Sequence, residues 1–438
     1  METFGCQMNV NDSEKVAGLL LAEGYARVED PADADFVFVN TCAVRERSTE
    51  KLYHQLGRLR RLKEKRPGLR IGVGGCVAQL EGRRVLERAP EVDVLVGTHT
   101  LARVPELLAQ ARGGMPGVDL DRAADSFSVP DAAVAHSSSV RAYVTAIEGC
   151  NHVCSFCVVP RTRGTEVCRP ADAIVAEVES LVARGYAEVM LLGQTVNAYR
   201  HGGVDFAELL ARADAVPGLR RLRFTTSHPE HVGPRMAEAF RRLPTLCPYL
   251  HLPVQSGSDR VLADMRRGYT RARYLETVDL LRGRRPDLAL TSDVIVGYPG
   301  ESEDDFADTV SLVEEVGFDG LFVFLYSPRP GTSALRLGDP VPEEEKKRRF
   351  QVLNEQQQRR QAGRNQCRVG TSEEVLLDAV TGPGRLSGRT RHFRIVHVDG
   401  PPSWLGRTID VEITGAGANS LLGRAAGSLT LAARAPMF

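Results

Sequence analysis

Residues 150–157 read Cys-Asn-His-Val-Cys-Ser-Phe-Cys, a stretch with three cysteines in eight residues. It directly follows an apolar run, residues 143–147, that predicts a buried strand. Three cysteines in one tight loop can hold three corners of a cubic iron–sulfur cluster. The next cysteine, Cys168, lies beyond Pro160, so the fourth iron is left open to a ligand from outside the chain. The alternatives are a zinc site or three incidental cysteines, and this spacing at a strand end disfavours both.

The chain around this loop alternates between short apolar runs and amphipathic stretches. Strands are predicted at residues 143–147, 189–192, 222–225, 249–252, 289–296 and 321–325. Helices are predicted between them, for example at 171–184, 206–215, 274–284 and 303–316, and a charged helix follows at 343–364. Such a series predicts an α/β fold with a central partial (β/α) barrel of about six units, whose active site lies at the carboxyl ends of the strands.

An open iron at the mouth of such a barrel suits the amino and carboxylate groups of S-adenosylmethionine. One electron passed to the bound sulfonium would then break a C–S bond and release an adenosyl radical. Glycines that let the backbone approach a ligand, and polar side chains that can fix one, follow several predicted strands, although each alone is more often only a turn. The candidate residues for binding S-adenosylmethionine are Phe156, Gln194, Asn197, Gln255, Ser256, Gly257 and Gly297.

A second set of three cysteines lies in the N-terminal part, which we predict to be a parallel-sheet α/β domain. Predicted strands at 36–39, 71–74 and 92–96 alternate with predicted helices at 44–65 and 80–88. Cys6, Cys42 and Cys76 each stand just past a strand end, or where one would end, and such ends share one edge of a parallel sheet. The three can therefore converge as ligands of a second site. Buried structural cysteines are the alternative, and that interpretation holds for Cys168, Cys247 and Cys367.

The pattern changes again in the C-terminal part. Short strands predicted at 374–379, 393–398, 408–413 and 428–432 indicate a small β-barrel of a kind that often binds oligonucleotides. Arg389, Arg391 and Arg394 are candidate phosphate contacts there, although a run of charges is usually a solvated face. We therefore expect an N-terminal domain at 1–112, a linker at 113–139, the partial barrel at 140–367 and the small barrel at 368–438.

The composition is typical of a globular protein, and the sequence also indicates the cellular compartment. The 438 residues, 42% hydrophobic and 26% charged, fit two or three domains. No apolar run spans a bilayer and no signal-peptide pattern opens the chain, so we expect no membrane partner and a cytoplasmic protein. In that reducing compartment the 9 cysteines are metal ligands or core residues rather than a disulfide framework. Because the formal net charge is zero, any RNA contact must come from local patches.

Several motifs together resemble the radical methylthiotransferases. They are residues 3–9 (Thr-Phe-Gly-Cys-Gln-Met-Asn), 40–45 (Asn-Thr-Cys-Ala-Val-Arg), 74–76 (Gly-Gly-Cys) and 150–164. Residues 224–229 (Phe-Thr-Thr-Ser-His-Pro) and 251–258 (His-Leu-Pro-Val-Gln-Ser-Gly-Ser) are similar to the tRNA-modifying MiaB type. The C-terminal part, with Leu-Ser-Gly-Arg-Thr at 386–390 and Asn-Ser-Leu at 419–421, resembles a TRAM RNA-binding domain. The resemblance covers nearly the whole chain.

The resemblance implies a division of labour between two [4Fe-4S] clusters. Cys150, Cys154 and Cys157 would hold the cluster that cleaves S-adenosylmethionine, and the auxiliary cluster that carries or donates sulfur would be held by Cys6, Cys42 and Cys76. The implied reaction removes hydrogen from carbon 2 of an N(6)-isopentenyl (dimethylallyl) adenosine beside the anticodon, inserts sulfur and adds a methyl group from another S-adenosylmethionine. The implied partners are tRNA and an electron donor such as flavodoxin or ferredoxin, and we expect a monomer.

Two alternatives remain open at this stage. The same chemistry could act on a threonylcarbamoyl adenosine or on a ribosomal-protein aspartate, but the motifs at 227–229 and 255–258 favour the isopentenyl adenosine. A protein of another class, an iron–sulfur redox sensor that binds RNA, would use its clusters only to report iron or oxygen. A sensor has no use for an open iron in a barrel mouth, so the sequence favours an enzyme.

Overall fold

The computed structural model describes residues 1–43, 46–122 and 127–426. These residues form an N-terminal sheet covered by helices, a central arc of parallel strands and a closed C-terminal barrel. The three bodies follow one another in the predicted order, so the predicted fold class is confirmed. Within the described ranges no helix is long and apolar enough to cross a membrane.

The N-terminal sheet has five parallel strands, which lie side by side in chain order. Their bounds are Glu2–Phe4, Phe36–Thr41, Arg70–Gly75, Val94–Val96 and Gly117–Asp119. The helices around it are Gln7–Ala22, Glu46–Lys65, Cys76–Glu81, Arg84–Arg88 and Val104–Arg112. Val39 and Val73 belong to one apolar cluster and Phe38 and Val94 to another, so the strands are buried on both faces and contain continuous apolar runs.

The structure differs from the expectations for this part in three places. The predicted linker 113–139 starts too early, because Gly117–Asp119 pairs with Val94–Val96 as the fifth strand. A strand of three residues is too short to show a period. The helix Gln7–Ala22 has no counterpart among the predictions because many of its polar residues are buried and hide the apolar stripe. The predicted helix 80–88 is two short helices, Cys76–Glu81 and Arg84–Arg88.

The central body is an open arc of six parallel strands, as predicted. The strands are Arg141–Thr145, Glu188–Leu192, Arg221–Phe224, Tyr249–His251, Ala289–Val296 and Gly320–Leu325. A bridge between Leu222 and Leu246 joins the two halves of the arc. The larger helices of this body are Ala171–Ala183, Phe206–Asp214, Pro234–Arg242, Asp259–Asp264, Arg271–Arg284, Glu303–Val316 and Glu343–Gln366.

The pleat of these strands separates an outer face from a lumen. Val189, Leu191 and Leu222 point outward into the apolar core with the helices. Met190 and Arg223 alternate with them and point inward, where Met190 packs near Met8 of the N-terminal helix. The lumen is therefore lined partly by the central strands and partly by the N-terminal domain.

The C-terminal barrel is closed, with its strands in the spatial order Ser372–Gly382, Arg385–Thr390, Ile395–Asp399, Leu421–Ala425 and Thr408–Ala416. Two of these strands, Arg385–Thr390 and Leu421–Ala425, were not predicted, because glycine and arginine interrupt their alternation. The strand predicted at 393–398 begins only at Ile395, since Phe393 has a φ of +69° and forms a turn. The strand predicted at 428–432 lies outside the described residues.

The C-terminal barrel closes the base of the central lumen. The buried side chain of Arg221 donates to the backbone carbonyl of Arg389, and that of Arg223 donates to the carbonyls of Thr390 and Arg391. Phe393 follows these residues and packs against Tyr249, with 4.8 Å between the ring centroids. The amino-terminal end of the lumen is thus a protein core, and the carboxyl end is the part that can receive a ligand.

Candidate active site

The cysteine loop 150–157 begins where the first barrel strand is followed by a short hairpin, Ile147–Glu148 paired with Val167–Cys168. Gly149 turns the chain with a φ of +80°, and a Cβ there would lie 2.0 Å from the carbonyl oxygen of Thr165. The loop closes tightly, since the backbone N–H of Cys157 donates to the carbonyl of Cys154 at 3.1 Å. These backbone contacts fix the path of the loop that carries the three cysteines.

The three thiols of this loop lie near enough to one another to affect each other's pKa. Burial raises the pKa of Cys150, and burial together with the neighbouring sulfurs raises the pKa of Cys157 to about 12. A metal centre bound to such thiols would hold them as thiolates. The buried guanidinium of Arg267 lies 3.4 Å from the sulfur of Cys154, which suits a sulfur site that carries negative charge.

The structure also brings Cys6, Cys42 and Cys76 together. They follow Glu2–Phe4, Phe36–Thr41 and Arg70–Gly75, three adjacent strands of the N-terminal sheet. A hydrogen bond with Cys42 lowers the pKa of Cys6 to about 6, whereas burial raises the pKa of Cys76. The convergence that the sequence predicted at this sheet edge is therefore present, and the site again offers three cysteines.

Arg163 joins the two cysteine sets. Its buried guanidinium donates to Glu148 at 2.7 Å, just before the cysteine loop, and to Asp12 on the N-terminal helix that begins after Cys6. The same group opposes the effect of burial on the pKa of Cys76. One cation thus holds the N-terminal domain and the barrel mouth in a fixed relation.

The candidate residues for S-adenosylmethionine line the carboxyl ends of the strands. Gln194 accepts a hydrogen bond from the backbone N–H of Gly149 at 2.7 Å and so supports the cysteine loop. Gln255 has a φ of +77°, and its backbone is hydrogen-bonded to the adjacent strand at Asp293 and Ile295. Phe156 packs against the apolar cluster that contains Tyr298. Direct contact of these residues with a ligand stays a prediction.

The other candidates shape turns at the same edge. Asn197 is buried, and its amide exchanges two hydrogen bonds with the backbone of His228. Ser256 and the N–H of Gly257 both contact the hydroxyl of Thr309. The N–H of Gly297 donates to Glu301 at 2.6 Å. These contacts fix the backbone around the barrel mouth.

The three arginines predicted to bind RNA phosphate have partners within the protein, and their contact with RNA stays a prediction. Arg389 pairs with Asp378, Arg391 donates to the carbonyl of Pro244, and Arg394 pairs with Asp319 at 2.8 Å. Two of the three contacts reach the central body. Carboxylates offset the charges of Arg389 and Arg394, and the contacts of Arg391 and Arg394 fasten the small barrel to the arc.

Sequence reasoning missed several polar groups of the site. Arg163 and Arg267 are single arginines without a motif-like spacing, and their partners lie up to 151 residues away. Thr195, 3.3 Å from the sulfur of Cys150, stands in a turn that was noted only for its neighbours Gln194 and Asn197. Only the three-dimensional structure identifies these partners.

Three family models match the chain, one for each body. Residues 1–97 match the Uncharacterized protein family UPF0004, residues 144–313 the Radical SAM superfamily and residues 366–426 the TRAM domain. The fold is also similar to the radical S-adenosylmethionine methyltransferase TsrM from Kitasatospora setae, with a TM-score of 0.55 at 16% identity over 86% of this chain and 77% of that chain. OxsB, a cobalamin-dependent S-adenosylmethionine radical enzyme, gives a TM-score of 0.53 at 12% identity over 78% and 55%. The fold and the cysteine loop thus define a radical S-adenosylmethionine enzyme.

Closely similar relatives identify the family within this class. A protein of Bordetella pertussis is 47% identical over 98% of this chain and 98% of its own length. A protein of Chromobacterium violaceum is 48% identical over 97% of this chain and 98% of its own length. Both are named tRNA-2-methylthio-N(6)-dimethylallyladenosine synthase. The chain belongs to the family of tRNA-2-methylthio-N(6)-dimethylallyladenosine synthases.

Proposed function

We propose that the chain attaches a methylthio group to carbon 2 of N(6)-dimethylallyladenosine next to the anticodon of tRNA. The observation that carries this proposal is the arrangement of two cysteine triads on either side of Arg163, both at the mouth of one barrel. One triad suits radical formation, and the other offers a second three-cysteine site close by. The similarity to named relatives over nearly the whole chain supports the same reaction.

The bound cofactors, two [4Fe-4S] clusters and S-adenosylmethionine, would supply the radical, the sulfur and the methyl group. Cys150, Cys154 and Cys157 would hold the first cluster, and Cys6, Cys42 and Cys76 would hold the second. The chain positions these sites relative to each other through the Arg163–Asp12 and Arg163–Glu148 pairs. Because this guanidinium is almost fully buried, the pairs are shielded from salt and hold the geometry firmly.

The lumen of the arc suits a flat base with a branched alkenyl group. Met8, Met190 and Leu192 form an apolar wall at one side. At the far end of the arc, Phe322 is 50% exposed and lies in register with Asp293. His251 lies nearby, 6.0 Å from Phe322 between ring centroids and 3.5 Å from the carboxylate of Asp293. Apolar walls with a few polar groups are typical of sites for small organic groups and exclude water from a radical.

Several further features belong to the proposal. We propose two clusters, so anaerobic reconstitution should give about eight irons per chain. tRNA would be bound with help from the TRAM domain, and flavodoxin or ferredoxin would donate electrons. We propose a monomer that acts in the cytoplasm, where its tRNA substrate is found.

The test is mass spectrometry of tRNA nucleosides from cells with and without the gene. We expect loss of the 2-methylthio nucleoside and accumulation of N(6)-dimethylallyladenosine when the gene is absent, and recovery of the product when it returns. If a threonylcarbamoyl adenosine derivative changed instead, the substrate would be wrong while the chemistry would stand. A gene that encodes the Cys150→Ala variant should fail to restore the product, because the cysteine loop of that variant lacks one proposed cluster ligand.

A second assay distinguishes the proposed enzyme from the alternative, an iron–sulfur redox sensor that binds RNA. The reconstituted, chemically reduced chain should cleave S-adenosylmethionine to 5′-deoxyadenosine and methionine under anaerobic conditions, even without tRNA. A sensor would bind RNA but release neither product.

A further inference from the structure

A buried guanidinium, that of Arg267, lies against the cysteine loop. The residue is only 6% exposed. Its Nη1 group donates to Sγ of Cys154 at 3.4 Å, its Nη2 group donates to the carbonyl of Pro253 at 3.1 Å, and its Nε–H donates to the hydroxyl of Tyr269 at 3.0 Å. The sulfur of Cys154 is therefore one of the partners that hold this cation in place.

The charge of Arg267 is not matched by an acidic side chain. Among the described residues, no carboxylate forms a hydrogen bond or an ion pair with this guanidinium. Burial raises the pKa of Tyr269, so its hydroxyl stays neutral, and the carbonyl of Pro253 is neutral as well. A buried charge without an opposite charge is strongly unfavourable. Of the three partners, only the sulfur of Cys154 can carry a full negative charge.

Backbone contacts hold Arg267 close to the loop. The residue follows the turn that ends the helix Asp259–Asp264. Ser155, inside the cysteine loop, donates its backbone N–H to the carbonyl of Met265 at 3.0 Å and its hydroxyl to the carbonyl of Asp264 at 2.8 Å. These two bonds fasten the turn to the loop, and the guanidinium is fastened with it.

We propose that Arg267 raises the reduction potential of the iron–sulfur cluster that the loop 150–157 would hold. This inference rests on the presence of that cluster, which is part of the proposed function, and not on the RNA substrate. One electron from the donor protein makes the cluster and its thiolates more negative by one charge. A fixed cation in a buried, weakly screened position stabilises the more negative state more strongly. Local charge and hydrogen bonds to sulfur are among the factors that set the potential of such clusters.

The test is a redox titration of the reconstituted full chain under anaerobic conditions, followed by electron paramagnetic resonance. We expect one midpoint potential for each cluster. The variant with Cys150→Ala, Cys154→Ala and Cys157→Ala lacks the midpoint that belongs to the loop and so identifies it. Arg267→Met should make only that midpoint more negative. A roughly tenfold lower equilibrium constant for reduction corresponds to a shift of about 59 mV for one electron.

Three further variants separate the effect of charge from the effect of a changed structure. Arg267→Lys keeps a positive charge without the planar guanidinium, so its midpoint should lie between those of Arg267→Met and the unchanged chain. Tyr269→Phe removes one partner of the guanidinium and keeps the cation. Arg266→Met removes the exposed charge of the preceding residue. The last two variants should keep the midpoint of the unchanged chain.

The proposal is overturned if Arg267→Met has the same loop midpoint as the unchanged chain. It is also overturned if Tyr269→Phe shifts that midpoint as far as Arg267→Met does, because distortion rather than charge would then explain the change. If Arg267→Met binds no loop cluster, the comparison of Arg267→Lys with Tyr269→Phe decides in the same way. A failure of the proposed function is recognised separately, since the unchanged chain would then have no midpoint that the three-cysteine variant lacks.

Discussion

At the scale of one residue, a change at Cys42 can distinguish cleavage of S-adenosylmethionine from insertion of the methylthio group. Cys42 lies in the N-terminal sheet, apart from the loop that would bind S-adenosylmethionine. We expect Cys42→Ala to cleave S-adenosylmethionine at close to the normal rate and to form no methylthio product, since only the auxiliary site loses a ligand. Chromatography of 5′-deoxyadenosine and of tRNA nucleosides measures both. Cys168→Ser, outside both triads, is the control and should keep both activities; methylthio product from Cys42→Ala would contradict the assigned role.

Arg163 is the residue on which the relation of the two sites depends. Replacing it by Met leaves the buried carboxylates of Asp12 and Glu148 without their cation. Loss of one partner from a buried ion pair costs about 3–5 kcal/mol. We expect a correspondingly lower urea midpoint, partly restored in the double variant Arg163→Met/Asp12→Asn. Arg161→Met, which changes an exposed neighbour, should unfold like the unchanged chain; equal midpoints for both single variants would contradict this picture.

At the scale of one element, the helix Glu303–Val316 begins with a capping box that also supports the barrel mouth. The Asp305 carboxylate accepts from the N–H of Ser302 at 2.8 Å and from the hydroxyl of Ser258 at 2.6 Å. Burial alone would raise the pKa of Asp305, but hydrogen bonds from Arg260, Ser258 and Ser302 hold it well below its usual range. The carboxylate form therefore stabilises the folded state at neutral pH.

Asp305→Asn is expected to lower the free energy of unfolding by about 1–2 kcal/mol at pH 7. Because the folded-state pKa is lowered, this difference is fully present above the ordinary carboxyl pKa of about 3.9 and is lost as pH falls through the folded value. Urea titrations between neutral and acid pH measure it. Asp304→Asn, in the same first turn, should show a smaller effect. A difference that grew toward acid pH would contradict the assigned cap.

Elements also show how much the sequence can predict. The buried strands Phe36–Thr41 and Ala289–Val296 are apolar runs, and the sequence locates them within two residues. The helix Gln7–Ala22 escapes prediction because its buried polar residues have partners in other parts of the chain; for example, Asn11 accepts a hydrogen bond from Thr145. The grouping of six cysteines into two sets could be predicted, because one set is close in sequence and the other follows strand ends; their role as cluster ligands stays a prediction. Arg163 could not be predicted, since its function depends on two acids distant in sequence.

At the scale of the whole molecule, the C-terminal barrel completes the base of the central arc. Ending the chain at Arg368 removes the carbonyl acceptors of Arg221 and Arg223 and the ring of Phe393. Arg221 then loses its acceptors, Arg223 keeps only Glu188, and the lumen is open, which destabilises the arc. We therefore expect the truncated chain to lose cleavage of S-adenosylmethionine as well as RNA binding.

The matched variant for this prediction is Phe393→Ala in the full-length chain. It keeps the carbonyl acceptors and removes only the ring from the lumen, so it should unfold at a lower temperature and still cleave S-adenosylmethionine. Thermal melts measure the stability of this variant, and the cleavage assay measures its activity toward S-adenosylmethionine. A truncated chain with full cleavage activity would show that the arc is stable without its C-terminal partner.

Because the C-terminal barrel closes the base of the lumen, the central arc can be completed only late in synthesis of the chain. A ribosome delivers the chain from its N-terminus, so Phe393 and the carbonyls around it emerge after all six cysteines. Until then Arg221 and Arg223 have no acceptors at that end. A nascent or prematurely ended chain therefore has cysteines for both clusters but an unfinished barrel. We therefore expect a fragment that lacks the C-terminal domain to generate little radical even if its cysteines bind iron.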